Sequence, residues 1–584
     1  MDLHFTDDQP TPEEREAIDA FLSSHTPQGD LRQYLLPILH AIQGRVGWIS
    51  LGALNYACRA LDVPPADAFG VADFYAMFQM RPHPPVAIHV CDDIGCQFRG
   101  AEDLCDQIAL SGVAWHRSPC LGLCERAPAA LVTMAGNPPR EVSVAPATAP
   151  SVLGVLDVLD VPAPNFAASV PQIGQPGLTL LRRIGQIDPW SLDDYRAAGG
   201  FLALRRAFEL GPDRVVEEVI EAKLVGRGGA AFPTGLKWKG MRSAPLPRYL
   251  VCNADESEPG TFKDRVLMEG DPYSLIESMI IAGFATGCER GYLYIRGEYP
   301  LATDLLDNAI RRCRERGFLG TDILGDGVRF DIELRRGAGA YICGEETALL
   351  NSLEGYRGEP RNKPPFPTQV GLFGQPTAIN NVETLVNVLP IVLEGGKAFA
   401  AIGTERSTGP KLFCLSGHVR RPGVYEVPFG VTLREVLELA GGVTGNLQAI
   451  LLGGAAGAFI TPDQIDVPLT FEGTRAIGAA LGSGVIMPFD DTVDLRLVLR
   501  RIAQFFRDES CGQCVPCRVG TVRQEEVLHR LATDRPFGSV KQELELVKEL
   551  GQVMRDASIC GLGQTASSAI ESALARFPIL QEKR

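Results

Sequence analysis

Across residues 31–46 the apolar positions Leu31, Leu35, Ile38, Leu39, Ile42 and Val46 recur at helical spacing and mark out one face. Pro37 falls inside this run, and because proline has no N–H to give a helix interior, a kink or a restart is expected there. A second helical pattern follows over residues 51–61, so residues 1–80 read as a small helical unit. The pattern then shifts: residues 85–90 read as a short strand, 101–110 as a helix and 113–116 as another strand. Together they predict a compact α/β domain over 81–160. Pro162, Pro164, Pro171 and Pro176, with few charges around them, mark 161–179 as a linker. From 180 to 405, β-rich runs at 248–252 and 291–296 alternate with helical ones, as in an α/β sheet. Over 406–493, a strand at 411–416, a Pro422-Gly423 turn and a strand at 424–427 form a hairpin, with a helix at 433–439, which fits a β-grasp module. Residues 494–584 are helical apart from cysteine-bearing loops.

Length supports this division, since 584 residues exceed what one core serves and predict about three to five domains. An apolar content of 45% and a charged content of 22% are those of ordinary globular protein. The net charge of −15 argues against a nucleic-acid binder, which needs a basic face. Residues 439–462 carry no charge and are long enough to span a bilayer, but they hold six glycines, Asn446 and Gln448. They read as strands and turns, with no direct membrane insertion. The acidic N-terminus has no basic or apolar region of a secretory signal. With clustered cysteines, this predicts a cytoplasmic protein whose thiolates bind metal.

Eight of the fifteen cysteines fall into two sets: Cys91, Cys96, Cys120 and Cys124, then Cys511, Cys514, Cys517 and Cys560. Each can supply the four thiolates of an iron–sulfur cluster, and the spacing alone also fits structural zinc. Cys58, Cys105, Cys252, Cys288, Cys313, Cys343 and Cys414 stand alone and read as core residues. Between the sets lies a glycine loop, residues 226–235 (Gly-Arg-Gly-Gly-Ala-Ala-Phe-Pro-Thr-Gly). Its glycines permit the close backbone approach of a phosphate cradle, although it is not the dinucleotide-binding G-x-G-x-x-G fingerprint. Carboxylates follow at Asp255, Glu256, Glu258, Glu345 and Glu346, suited to ribose hydroxyls and amides. Nucleophilic hydrolysis has little support: the eight histidines lie beside no nucleophile motif, and His40, His83, His89 and His116 read as surface residues.

The words around these residues carry a resemblance. Cys91-Asp-Asp-Ile-Gly-Cys96, Pro119-Cys-Leu-Gly-Leu-Cys-Glu-Arg-Ala-Pro128 and Val71-Ala-Asp-Phe-Tyr75 resemble the thioredoxin-like ferredoxin subunit of respiratory complex I. This implies a [2Fe–2S] cluster on Cys91, Cys96, Cys120 and Cys124. From about 180 to the C-terminus the glycine loop, Asn253–Thr261, Gly337–Thr347, Lys363–Pro367 and Asn380–Thr384 resemble the flavin-carrying, NADH-oxidising subunit of complex I and its soluble relatives. That resemblance implies FMN on Gly226, Arg227, Gly228, Lys237, Asn253, Asp255, Glu256, Gly344, Glu345, Asn380 and Asn381. It implies NAD(H) on Phe232, Glu258, Glu346, Lys363 and Phe366, the phenylalanines stacking on adenine. Ala231 stands where the family carries glycine, and its methyl group is expected to crowd the cradle. The C-terminal quartet, in Glu509-Ser-Cys-Gly-Gln-Cys-Val-Pro-Cys and Ser558-Ile-Cys-Gly, implies a [4Fe–4S] cluster.

The expected fold is therefore multidomain α/β: the N-terminal helical unit, a thioredoxin-like ferredoxin domain, an α/β FMN-binding domain, a β-grasp domain and a C-terminal helical bundle with its cluster. The implied activity is that of a diaphorase, exchanging a hydride between NAD(H) and FMN and relaying single electrons through the clusters. Glu258 is expected to bind and order the nucleotide, since hydride exchange needs no side-chain acid or base. A partner catalytic subunit with further iron–sulfur clusters is implied. The four N-terminal cysteines favour a molybdenum- or tungsten-pterin formate dehydrogenase partner. An NAD-reducing hydrogenase, or complex I with these two chains fused, is the alternative setting.

Overall fold

The computed structural model describes residues 7–24, 29–157 and 165–579. Near the N-terminus the chain resolves the Pro37 problem by restarting early. A 3-10 turn at Leu31–Tyr34, capped by Asp30, gives way to a helix over Leu35–Val46. Pro37 then stands in the first turn, where no N–H is needed. Leu35, Leu36, Ile38, Leu39 and Ile42 are buried, while Leu31 and Val46 at the ends are half-buried. Ser50 caps the next helix, Leu51–Leu61, accepting from the Ala53 N–H.

Three sheets follow. The first orders Trp115–Ser118, Val86–Cys91, Ala130–Met134 and Arg140–Val144, with Val86–Cys91 parallel to the first neighbour and antiparallel to the second. The second orders Gly320–Ile323, Val328–Arg336, Arg290–Ile295, Tyr249–Ala254 and Thr377–Asn381, and its last four strands are mutually parallel. Helix Pro272–Thr286 is buried on every side except at Phe284, as a helix between layers must be when it is apolar all round. The third sheet orders Gly423–Pro428, Pro410–Leu415, Val485–Asp490, Leu447–Leu452 and Ala458–Ile460. The uncharged stretch 439–462 is thus strand and turn, and no helix among the described residues is long and apolar enough to cross a membrane. Helices Leu495–Asp508, Val515–Ala532, Val540–Ala557, Gly561–Thr565 and Ser568–Arg576 complete the chain.

Two sequence expectations need correction. Of the 161–179 linker, residues 161–164 lie outside the described residues, and the remainder is no free tether. The carboxylate of Glu426, on the third sheet, accepts the N–H groups of Thr179, Leu180 and Leu181 at 2.7, 2.9 and 2.9 Å. Gln172 exchanges two further hydrogen bonds with the Glu426 main chain, and Ser169 donates to Glu125. The N-terminal histidines are half-buried, with His40 and His89 set deeper than a surface position implies. His40 Nε2 meets the Gly337 carbonyl at 3.0 Å, and burial drops its pKa to about 3. His83 and His116 face each other Nε2 to Nε2 at 2.8 Å, with the His89 ring beside His116. The modules also share cores: Ile38 and Leu39 of the helical unit belong to the same apolar cluster as Leu349 and Leu350. The seven cysteines outside the two quartets are all buried.

Candidate functional site

Three of the predicted flavin residues, Asn253, Asn380 and Asn381, lie at the C-terminal ends of parallel strands, where open α/β sheets leave a crevice. Asn253 stands near the end of one strand, and Asn380 and Asn381 close its neighbour. The glycine loop folds against them. A bridge between Val225 and Pro233 and the bond from Gly226 N–H to the Phe232 carbonyl (2.9 Å) shape the loop. A Cβ on Gly228 would lie 3.2 Å from Asn381 Cβ, so a larger residue here would press on Asn381 and narrow this floor. Gly229 takes φ +114°, and Ala231 takes φ +52°. The left-handed conformation costs a side-chain-bearing residue about 1–2 kcal/mol. The departure at Ala231 is therefore a backbone strain, where the sequence suggested crowding by its methyl group.

Several predicted contacts have their side chains committed to the scaffold. Arg227 turns away from the loop: its guanidinium is buried, donates to the Thr408 carbonyl at 2.7 Å and lies 4.7 Å from the Phe429 ring centroid. Only its main chain remains at the loop, its N–H bonded to Thr384. The Glu256 carboxylate accepts the N–H groups of Asp264 and Arg265, both at 2.9 Å, closing the start of helix Lys263–Gly270. Burial raises its pKa to about 7. Glu345 caps helix Glu346–Leu353 through Thr347 and Ala348. Asn381 donates to Asp264 at 2.6 Å, and Asn380 accepts from Trp238 at 3.0 Å.

The other predicted residues are bonded around the crevice, with one carboxyl oxygen and two aromatic faces left open. Lys237, its pKa lowered by burial, donates to the Ile379 carbonyl at 2.7 Å and stands 5.8 Å from the Phe232 ring. Asn253 donates to the Gly344 carbonyl at 2.8 Å. Asp255 has a buried Oδ2 with no partner, and burial pushes its carboxyl well above the usual range. Lys363 bonds both Glu345 (2.8 Å) and Glu346 (3.2 Å). Phe232 and Phe366 are 54% and 53% exposed, leaving two apolar faces open to a planar ring. Glu258 accepts from the Ala456 N–H at 3.0 Å and the Ser483 hydroxyl at 3.1 Å, and burial raises its pKa to about 7. An open glycine floor, an orphaned buried carboxyl oxygen and exposed aromatic faces fit a flavin with a nucleotide beside it.

The thiols converge as two sets. Cys120 Sγ lies 3.4 Å from Cys124 Sγ, and all four cysteines of the first set are buried. Hydrogen bonding within the set holds the Cys120 thiol well below its ordinary pKa and pushes Cys91 and Cys124 well above theirs, so the thiols share one site. In the second set Cys517 is in hydrogen-bond contact with Ser510 (3.3 Å), and a Cβ on Gly563 would come 2.9 Å from Cys517 Cβ. That close approach carries Cys560 to the helix bearing Cys517. Cys511 and Cys514 are half-buried. Among the described residues no three His, Cys, Asp or Glu side chains are drawn together as tightly as a single metal ion would need.

Sequence reasoning missed the groups that lock these centres together. Arg296, fully buried, donates to the Glu256 carbonyl (2.6 Å) and to the Cys120 carbonyl (2.5 Å). Arg265 donates to the Gly122 carbonyl (2.9 Å) and pairs with Glu125 (2.5 Å). Arg501 reaches from the C-terminal helices to Asp92 and Asp93 at 3.3 and 3.4 Å. Glu509 accepts the Tyr341 N–H at 2.8 Å, and burial raises its pKa to about 7. The one available signal was position: Arg296 closes a predicted strand, and Glu509 stands two residues before Cys511.

Comparison with known proteins yields four family matches: a thioredoxin-like [2Fe–2S] ferredoxin at 18–139, the Nuo51 FMN-binding domain at 219–390, an SLBB domain at 412–455, and the NADH-ubiquinone oxidoreductase-F iron–sulfur binding region at 497–584. The NADH-quinone oxidoreductase F 2 subunit of Rhizobium meliloti is 46% identical over 68% of this chain and 95% of its own length. The corresponding F subunit of Aquifex aeolicus is 44% identical over 69% and 93%. The HndC subunit of the NADP-reducing hydrogenase of Solidesulfovibrio fructosivorans is 43% identical over 68% and 81%. A chain of the air-oxidised NAD+-reducing [NiFe]-hydrogenase superposes with a TM-score of 0.78 at 33% identity, covering 95% of this chain and 94% of that one.

Proposed function

Since the chain belongs to the family of NADH-quinone oxidoreductase F subunits, extended at its N-terminus by a thioredoxin-like [2Fe–2S] ferredoxin, we propose that it is the NAD(H)-side electron relay of a larger oxidoreductase. It is an NAD(H)-dependent flavin and iron–sulfur enzyme carrying FMN, one [2Fe–2S] and one [4Fe–4S] cluster. The observation that carries the relay is Arg296, whose single guanidinium spans the Glu256 carbonyl beside the flavin crevice and the Cys120 carbonyl at the first thiol set.

Bound FMN would convert between two-electron hydride exchange with NAD(H) and one-electron transfer to clusters. The chain's own residues position and exclude. Gly226 and Gly228 would offer main-chain approach to the flavin, Lys237 a cation, and Asn253 with Asp255 polar contacts. Phe232 and Phe366 offer stacking faces for the nucleotide, and Lys363 with Glu346 a charged rim. Glu258 orders the nucleotide from its tie to Ala456 and Ser483. Cys91, Cys96, Cys120 and Cys124 would hold the [2Fe–2S] cluster, and Cys511, Cys514, Cys517 and Cys560 the [4Fe–4S] cluster.

Cys511 and Cys514 are the least buried of these eight thiols, so the partner, itself carrying further clusters, docks against them. Our reading of that partner is a metal–pterin formate dehydrogenase subunit, supported by the full N-terminal thiol set. A hydrogenase partner is the second reading, supported by the superposition over 95% of the chain. A cytoplasmic location accompanies either reading, resting on thiols kept reduced for metal. The natively purified complex should reduce NAD+ with formate under anaerobic conditions. Reduction with hydrogen and none with formate would overturn the first reading in favour of the second.

A further inference from the structure

Beside the first thiol set lies a groove of about 450 Å³, bounded by the thioredoxin-like domain, the 165–179 strap and the third sheet. Cys124 lines its floor, and Arg99, Arg126 and Arg420 line its walls. The one acidic lining residue is Glu125, whose side chain is fully buried and engaged by Arg265, Arg126 and Ser169. Apart from Glu125, every charged side chain of the lining is cationic, on a chain of net charge −15. Two of the guanidiniums are tied to different parts of the wall. Arg99 is held by the Gly417 carbonyl at 2.8 Å and Arg126 by Glu125 at 3.1 Å, so they present fixed charge around the opening. Deeper in, the buried Glu125 Oε2 has no partner and would repel a small anion that entered. A basic rim over a shallow route to a redox centre suits a large acidic surface, whose approach it steers.

We propose that this groove docks an acidic one-electron carrier protein, which exchanges electrons with the [2Fe–2S] centre independently of the partner at Cys511 and Cys514. The inference rests on the relay reading for the cluster itself. Its electron balance closes within the proposed activity: two reduced carriers give one electron each, NAD+ takes both with one proton, and NADH and two oxidised carriers result. Arg420 is exposed and stands outside the cluster loops and the flavin crevice, so its charge can be reversed without touching either.

The test titrates the holoprotein with an oxidised plant-type [2Fe–2S] ferredoxin as the acidic probe, at low and high ionic strength. Binding at low salt should weaken as salt rises, and Arg420→Glu should weaken it about tenfold further. The [2Fe–2S] EPR signal and NADH–ferricyanide activity of the variant should match the parent. No binding at low salt, or equal affinity in the variant, would overturn the proposal. So would displacement of the ferredoxin by millimolar inorganic phosphate at constant ionic strength, which would mark a small-anion site. A parent lacking the EPR signal would instead sink the relay reading, so the two failures are distinguishable.

Discussion

Glu258 stands between the Ala456 N–H and the Ser483 hydroxyl, with its pKa raised to about 7 by burial. A raised carboxyl pKa means the folded state binds more protons than the unfolded one between about pH 4.5 and 7. This group's share of stability is therefore greatest below the unfolded value, falls as pH rises through that window, and stays low above it. Glu258→Gln can still accept from Ala456 and donate to Ser483. We expect its thermal midpoint to exceed the parent's above pH 7, with the gap closing towards pH 4.5 in a calorimetric pH series. The same variant should raise KM for NADH while flavin and iron content stay at parental levels. Loss of flavin would count against a nucleotide-ordering role. At this scale the sequence showed which residue types surround the crevice but not which side chains are free. Glu256 and Glu258 are neighbours in one acidic turn, yet one closes a helix start and the other meets a loop 198 residues away.

The loop from Cys120 to Cys124 is an element whose shape depends on close approach. Gly122 takes φ +65°, and a Cβ there would overlap the hydroxyl and ring of Tyr299. Gly122→Ala should abolish the [2Fe–2S] EPR signal while the [4Fe–4S] signal and flavin absorbance persist. A variant with both cluster signals intact would show that the loop accommodates the methyl group. The strap at 165–181 depends on Glu426, which takes three main-chain N–H groups. Glu426→Ala strands those donors at a cost on the order of 3 kcal/mol. Limited proteolysis should then cut the strap faster than the parent's, whereas an unchanged rate would show another anchor suffices. The hairpin carrying Glu426 was legible from Val424-Tyr-Glu-Val427, because a β-rich run and the Pro422-Gly423 turn are local signals. The role of Glu426 was not, since the groups it binds lie some 245 residues upstream. The Pro37 restart was legible for the same local reason as the hairpin.

Across the whole molecule, arginines join modules that the sequence separates. Arg265 and Arg296 come from the flavin-side sheet and helices, Arg501 from the C-terminal helices and Arg99 from the thioredoxin-like domain, and each crosses to another module. Burial of Arg296 beside Glu298, and of Arg265 between Glu125 and Glu269, makes these joints paired and hydrogen-bonded, as buried charges require. The two thiol sets and the crevice thus occupy one frame, which is what passage of single electrons between them demands. Cysteine spacing marked both thiol sets because ligand loops are short, and the residues around them carried the iron–sulfur resemblance, whereas the frame is built from contacts between distant segments. One chain thus couples NAD(H) to two one-electron centres. The most direct measurement is anaerobic NADH titration of the purified protein, followed by absorbance and low-temperature EPR. The expected result is bleaching of a flavin band with reduced [2Fe–2S] and [4Fe–4S] signals. A colourless protein holding zinc, or coloured centres that NADH leaves oxidised, would contradict it.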